Sequence, residues 1–150
     1  MSDTREAIRG RCLCGSVEFS LTPPTNFCAH CHCESCRLSS GAAFVTWTSV
    51  PSDRFALTAG EEHLKWYRSS DHILWGFCGN CGSSMLYRAD KAGHHESPKL
   101  ENMYVSVGSL IDPMDQPPKV HVSYEERLAW MHAKDGLAKH RGKTDDIIED

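Results

Sequence analysis

"ILWGFCGNCGSSMLYRA", residues 73–89, reads as two strands joined by a turn that carries two cysteines. β-branched and aromatic residues mark "ILWGFC" (73–78) and "SSMLYRA" (83–89) as the strands. Between them Cys78 and Cys81 form a C-x2-C-G turn. In a zinc knuckle such a turn points backbone amides at both sulfurs, and the glycine, here Gly82, permits the tight return. A redox C-x2-C prefers a strand-to-helix junction, which this segment lacks. The knuckle supplies two thiolates, and a tetrahedral zinc takes four ligands.

A second hairpin can supply the other two. "IRGRC" (8–12) and "SVEFSL" (16–21) read as strands around "LCG", placing Cys12 and Cys14 at a turn. Pairing "CLC" with "CGNC" across residues 15–77 would clamp an early hairpin to a central one. Further strands follow at "AAFVTWTSV" (42–50), "RFALTAG" (54–60), "HLKWYRS" (63–69) and "NMYVSVGSL" (102–110). This spacing predicts an all-β fold, a meander or sandwich with little helix, rather than alternating strand and helix units. "ESCRLSS" (34–40) predicts one helical turn closed by Gly41, and "YEERLAWM" (124–131) reads either as weakly helical or as a loop. The polar segment 90–101, with His94 and His95, is expected as a long solvated hairpin loop, and "AKHRGKTDDIIED" (138–150) as a frayed tail. No internal repeat or linker divides the chain. One domain over 1–150 is expected, its core at about 8–131 and its tail at 132–150.

The 150 residues are 40% apolar and 24% charged, ordinary for a soluble globular domain. No stretch is apolar enough for a membrane span, and the opening "MSDTREAIRG" lacks a secretory core, so a cytosolic protein is expected. Eight cysteines in that setting point to metal rather than disulfides. The net charge of -4 argues against nucleic acid, which calls for a basic stripe. Two thiolate-bound zinc ions would deepen that charge to roughly -7, because their ligands lose protons.

The remaining four cysteines crowd into "CAHCHCESC" (28–36). If Cys28, Cys31, Cys33 and Cys36 all held one ion, the site would be closed and structural. If three did, one position would stay open for water or a substrate thiol, as in catalytic zinc sites. "CHCESC" supplies three from one loop, Cys31, Cys33 and Cys36. Cys28 lies an odd number of residues before Cys31, so on an extended strand the two face opposite ways. That favours three ligands, with Cys28 a buried thiol beside them. His30 and His32 alternate with Cys31 and Cys33 and are expected to face away from the ion, His32 as a support for the loop. His121, in the strand-like "KVHVSY", is expected as a core or pocket histidine, its role open.

In this order the motifs resemble the family of glutathione-dependent formaldehyde-activating enzymes and centromere protein V, built on the Mss4-like β fold. The matching pieces are "GRCLCGSVEF", "CHCESCRLSSGAAF", "LKWYRSSDHILWGFCGNCGSSMLY" and "PPKVHVSYEERLAW", spanning about residues 8–131. The resemblance implies a structural zinc on Cys12, Cys14, Cys78 and Cys81. It implies a second, more labile zinc on Cys31, Cys33 and Cys36, and the family usually has no cysteine where Cys28 stands. The implied chemistry is addition of glutathione or a related thiol to a small aldehyde, giving a product of the S-hydroxymethylglutathione type. The amides of the "SSG" turn and the hydroxyls of Ser35, Ser39 and Ser40 are candidate donors to the developing oxyanion, and Arg37 a candidate partner for a glutathione carboxylate. Trp47, Trp66, Trp75 and Trp130 are expected in the core. The rival expectations are a non-catalytic zinc module, carrying thiols or binding proteins, and a redox or zinc-sensing switch. A chromatin role would need a basic extension, which the sequence lacks.

Overall fold

The computed structural model describes residues 6–91 and 99–150; His94, His95 and most of the polar 90–101 segment lie outside the described residues. Alternation builds the first strands: in β1 (Ile8–Arg11) Ile8 and Gly10 are buried while Arg9 and Arg11 are exposed, and β2 (Glu18–Leu21) buries Phe19 and Leu21. Then come β3 (Cys28–Cys31), α1 (Glu34–Ser40), β4 (Val45–Pro51) and β5 (Phe55–Ala59). The central run is β6 (Leu64–Arg68), β7 (Ile73–Cys78) and β8 (Ser84–Ala89), followed by β9 (Asn102–Ser106), β10 (Val120–Val122) and β11 (Ala138–Lys139). The mainly β expectation holds, and α1 is the one α-helix among the described residues. The strand expected over 102–110 ends at Ser106 and passes into a 3-10 turn at Val107–Ser109. Of the two forms expected for 124–131 it takes the loop, opening on a 3-10 turn at Tyr124–Glu126.

The described residues gather into two compact units, one from 6–26, 48–91 and 99–115, the other from 27–47 and 116–150. The first contains the antiparallel sheet β1-β2-β5 and the ladder in which β7 pairs with β6 and β8, and β8 with β9. Its core is Ile8, Val17, Phe19, Leu21, Val50, Met85, Leu86 and Val105, with Cys12 and Cys78 among them. Each fully buried large apolar side chain stabilises by about 1.5–3 kcal/mol relative to exposure. The β7–β8 register shifts between Gly76 and Phe77, next to the knuckle.

The second unit contains β3, α1, β10, β11 and the start of β4. Here β10 pairs in parallel with both β3 and β11; the register sets His121 opposite His30 and Val122 opposite Cys31. Parallel neighbours require a long connection, so this pairing adds to the meander something that local alternation does not announce. The tail expected to be frayed is tied down. His140 N–H donates to the His121 carbonyl at 2.7 Å, a bridge joins His140 to Ile147, and Tyr124 Oη donates to the Asp150 carboxylate at 2.6 Å. Its residues are polar, and hydrogen bonds rather than an apolar face hold them.

Candidate metal centres

In the first unit the knuckle and the β1–β2 turn bring Cys12, Cys14, Cys78 and Cys81 together, their sulfurs all within 4.8 Å of one another. Sγ–Sγ distances of 3.6 Å (Cys12–Cys14) and 3.9 Å (Cys14–Cys78) bracket the edge of about 3.8 Å expected of a tetrahedron with metal–sulfur bonds near 2.3 Å. The expected amide geometry is present: Val17 N–H donates to Cys12 Sγ at 3.2 Å, and the Asn80 and Cys81 N–H groups to Cys78 Sγ, each at 3.4 Å. Gly82, at φ 81°, lets the chain turn back so that its N–H reaches the Cys78 carbonyl at 2.7 Å. Side chains tune the thiols. The Ser16 hydroxyl beside Cys14 lowers it to about 7, Ser83 beside Cys81 lowers it to about 5, and burial raises Cys78 to about 11.

In the second unit Cys31 ends β3, Cys33 caps α1 and Cys36 lies in its first turn. Their sulfurs form a second group, and Cys28, buried at the start of β3, is not part of it. Cys33 Sγ accepts the Cys36 N–H at 3.4 Å, so the helix cap itself is a candidate ligand. Gly41, at φ 75°, closes α1 as expected, its N–H meeting the Arg37 carbonyl at 2.7 Å. Trp47 Nε1–H donates to Cys36 Sγ at 3.2 Å, and Lys143 Nζ to Cys31 Sγ at 2.9 Å and Ser123 Oγ at 3.2 Å. The neighbouring Cys33 and Cys36 thiols, then Lys143, hold Cys31 far below the ordinary thiol range, while Cys33 and Cys36 are raised, chiefly by Cys31. Burial opposes the Lys143 charge, but the Cys31 thiolate outweighs it and raises the ammonium.

Several expected helpers are committed elsewhere. The Ser39 and Ser40 hydroxyls donate to the Cys36 carbonyl at 3.1 and 2.7 Å, leaving exposed Ser35 as the uncommitted hydroxyl of the three. Arg37 donates to the carbonyls of His32 (3.4 Å) and Glu126 (3.3 Å), which ties α1 to the 3-10 turn. Trp47 is buried as expected, yet its indole faces a sulfur; Trp66 and Trp75 are half-buried and Trp130 is 68% exposed.

The histidines stand outside the cysteine group, as alternation predicts. His32 is fully buried between Phe44 and Tyr124, and its Nε2 lies 2.8 Å from His121 Nδ1. Burial, then His121, lowers His32 to about 4. His121 Nε2 in turn lies 2.8 Å from Asp135 Oδ2, and His30 Nδ1 lies 2.8 Å from Thr46 Oγ1. Burial works against the Asp135 charge, but the Leu137 N–H and His121 outweigh it and lower its pKa. Lys143, Asp135 and Thr46 escaped the sequence reading. Two lie in polar stretches without periodicity, and Thr46 reads as an ordinary strand residue.

A mainly β chain with one four-cysteine and one three-cysteine group, each able to hold a metal ion, defines a two-centre cysteine protein. Residues 7–126 match the family described as "Glutathione-dependent formaldehyde-activating enzyme", and the chain belongs to that family. It is 29% identical over 83 residues to an uncharacterised lyase of Schizosaccharomyces pombe, an alignment covering 52% of this chain and 55% of that protein. The chain thus spans about half the length of that curated relative. A crystal structure of a Rhodobacter sphaeroides protein shares the fold, with a TM-score of 0.57 at 23% identity over 72% of this chain and 92% of that one.

Proposed function

We propose that the protein is a zinc-dependent enzyme of the carbon–sulfur lyase type, acting on glutathione or a related thiol and a small aldehyde in a reducing cytosol. One observation carries this reading: Cys31, Cys33 and Cys36 converge without Cys28 and with the Lys143 ammonium 2.9 Å from one sulfur. Three protein ligands leave a tetrahedral ion one position for substrate. The donors fit zinc, being soft sulfurs free of disulfides and close enough to share one ion. Cys12, Cys14, Cys78 and Cys81 would hold the structural ion. At the open site zinc would supply a Lewis acid that favours the thiolate of an incoming thiol, the nucleophilic form.

The chain's own residues do the rest. Cys31, Cys33 and Cys36 would hold the open ion, α1 orients Cys33 and Cys36, and the Trp47 indole N–H donates to the Cys36 sulfur. Three thiolates around a divalent ion sum to about -1. Lys143 offsets that charge and favours an anionic sulfur arriving nearby. In the reaction the thiol sulfur bonds to the aldehyde carbon, the carbonyl π pair moves to oxygen, and the thiol proton ends on that oxygen. Ser35 and the remaining N–H of the Lys143 ammonium, which already donates to Cys31 Sγ and Ser123 Oγ, are candidate donors to the oxygen, whereas the Ser39 and Ser40 hydroxyls donate to the Cys36 carbonyl.

A second reading, a non-catalytic zinc module that carries thiols or binds proteins, draws support from exposed Leu38 (74%) and Trp130 (68%). Magnetisation-exchange NMR of labelled formaldehyde with glutathione separates the two. Protein carrying both zinc ions is expected to accelerate exchange above the spontaneous rate. No acceleration with both ions in place rejects the enzyme and leaves the module.

A further inference from the structure

We propose that His30, His121 and Asp135 form a third metal site, suited to a borderline divalent cation such as Zn2+, Co2+ or Fe2+. One ligand atom from each lies within 4.8 Å of the others. Two imidazoles and a carboxylate are a common donor set for such ions, and they leave positions for water or a small ligand. The stronger argument is what surrounds each candidate ligand. A ligating histidine almost always has its other ring nitrogen held by a hydrogen bond, and a ligating carboxylate is held likewise. Here His30 Nδ1 is held by Thr46 Oγ1 at 2.8 Å and His121 Nδ1 by His32 Nε2 at 2.8 Å, which leaves Nε2 of each ring as the ligand atom. Asp135 Oδ1 accepts the Leu137 N–H at 3.1 Å, leaving Oδ2, which lies 2.8 Å from His121 Nε2. A simple histidine–aspartate hydrogen bond accounts for His121 and Asp135 but not for His30 joining them with its own outer partner. The parallel register, which sets His30 opposite His121, makes the pairing. His121 is 1% exposed, whereas the Asp135 side chain is 42% exposed, so an ion can enter from the Asp135 side.

Occupancy of this site would change the tautomers of the His121–His32 pair. Without metal, Asp135 accepts the hydrogen on His121 Nε2, so His121 Nδ1 accepts from His32 Nε2–H. An ion on His121 Nε2 moves that hydrogen to Nδ1 and reverses the bond, leaving the His32 hydrogen on Nδ1. The pair carries two hydrogens before and after, and no proton has to leave. His32 Nδ1 is buried with no partner among the described residues, and His32 stands between Cys31 and Cys33 in the chain. The tautomer change therefore reaches His32, the residue between Cys31 and Cys33.

The test titrates Co2+ into protein already holding two zinc ions and is independent of any lyase activity. A third equivalent is expected, with visible ligand-field bands of nitrogen and oxygen ligation and no near-ultraviolet sulfur charge transfer. Long-range 15N correlation spectra should show the His121 hydrogen moving from Nε2 to Nδ1. Asp135→Asn, at a partly exposed position, is expected to weaken the third equivalent at least tenfold while both zinc ions stay bound. Absence of a third equivalent up to millimolar Co2+ would overturn the proposal. So would sulfur charge transfer with loss of zinc, or a third equivalent undiminished in Asp135→Asn.

Discussion

Lys143 shows what a single residue contributes that spacing does not announce. It stays charged and reaches Cys31 from a segment with no cysteine and no apolar rhythm. Lys143→Met keeps most of the volume and removes the charge. It is expected to weaken retention of the three-cysteine ion about 10–100-fold, the usual cost of losing an outer partner of a ligand. Competition with a chromophoric chelator measures this, and the four-cysteine ion should be unaffected. Cys28 is the opposite case. Its parity on the strand already set it apart from Cys31, and the sulfur stands outside the metal group. Cys28→Ala should leave two zinc ions by native mass spectrometry and lower stability by about 1 kcal/mol for the small buried volume removed. The motifs "CLC", "CHCESC" and "CGNC" were legible because the spacing inside each is local, although the meeting of the first with the last spans residues 15–77. The His32–His121–Asp135 chain was not, because it joins residues whose contact depends on a distant register.

Among the elements, the knuckle and α1 hold their cysteines in different ways, and their variants should differ accordingly. The knuckle sits at the end of β7 inside the apolar core, with Cys12 and Cys78 in the core cluster itself. Cys81→Ser is therefore expected to unfold the first unit, read as loss of its circular dichroism transition and release of zinc. Cys33→Ser changes a helix cap to one of the preferred cap residues, so α1 should survive. That variant should be folded, hold one zinc ion and show no accelerated exchange. Like behaviour of the two would contradict the division into a structural and an open site. α1 and its Gly41 stop were readable from seven residues of sequence. β10 and β11 were harder, because parallel partners leave no alternating signature and their register comes from residues far away.

At the scale of the molecule, an apolar core and the four-cysteine group lie together in the first unit. Leu86 is fully buried between core neighbours. Leu86→Ala is expected to cost about 2–5 kcal/mol, and thermal unfolding of the zinc-loaded protein would show it. The mainly β class was legible because strand residues alternate with turn residues through most of the chain. The structured tail was not, since its order rests on hydrogen bonds such as Tyr124 to Asp150 and His140 to His121.

The parallel pairing of β3 with β10 also has a consequence for how the protein is made. A ribosome delivers Cys81 long before it delivers Val120–Val122 or Lys143. The four-cysteine clamp has all its ligands early, whereas the loop at Cys31–Cys36 emerges among the first residues without the strand and ammonium that will steady it. At about 5–20 residues per second, the roughly sixty residues from Cys81 to Lys143 take about 3–12 s to appear. For that interval the nascent chain would carry all four cysteines of the first group while β3 and the Cys31–Cys36 loop lack β10 and Lys143, so the first group can take up an ion before the second, and the thiols of the second would meet oxidants least supported during synthesis.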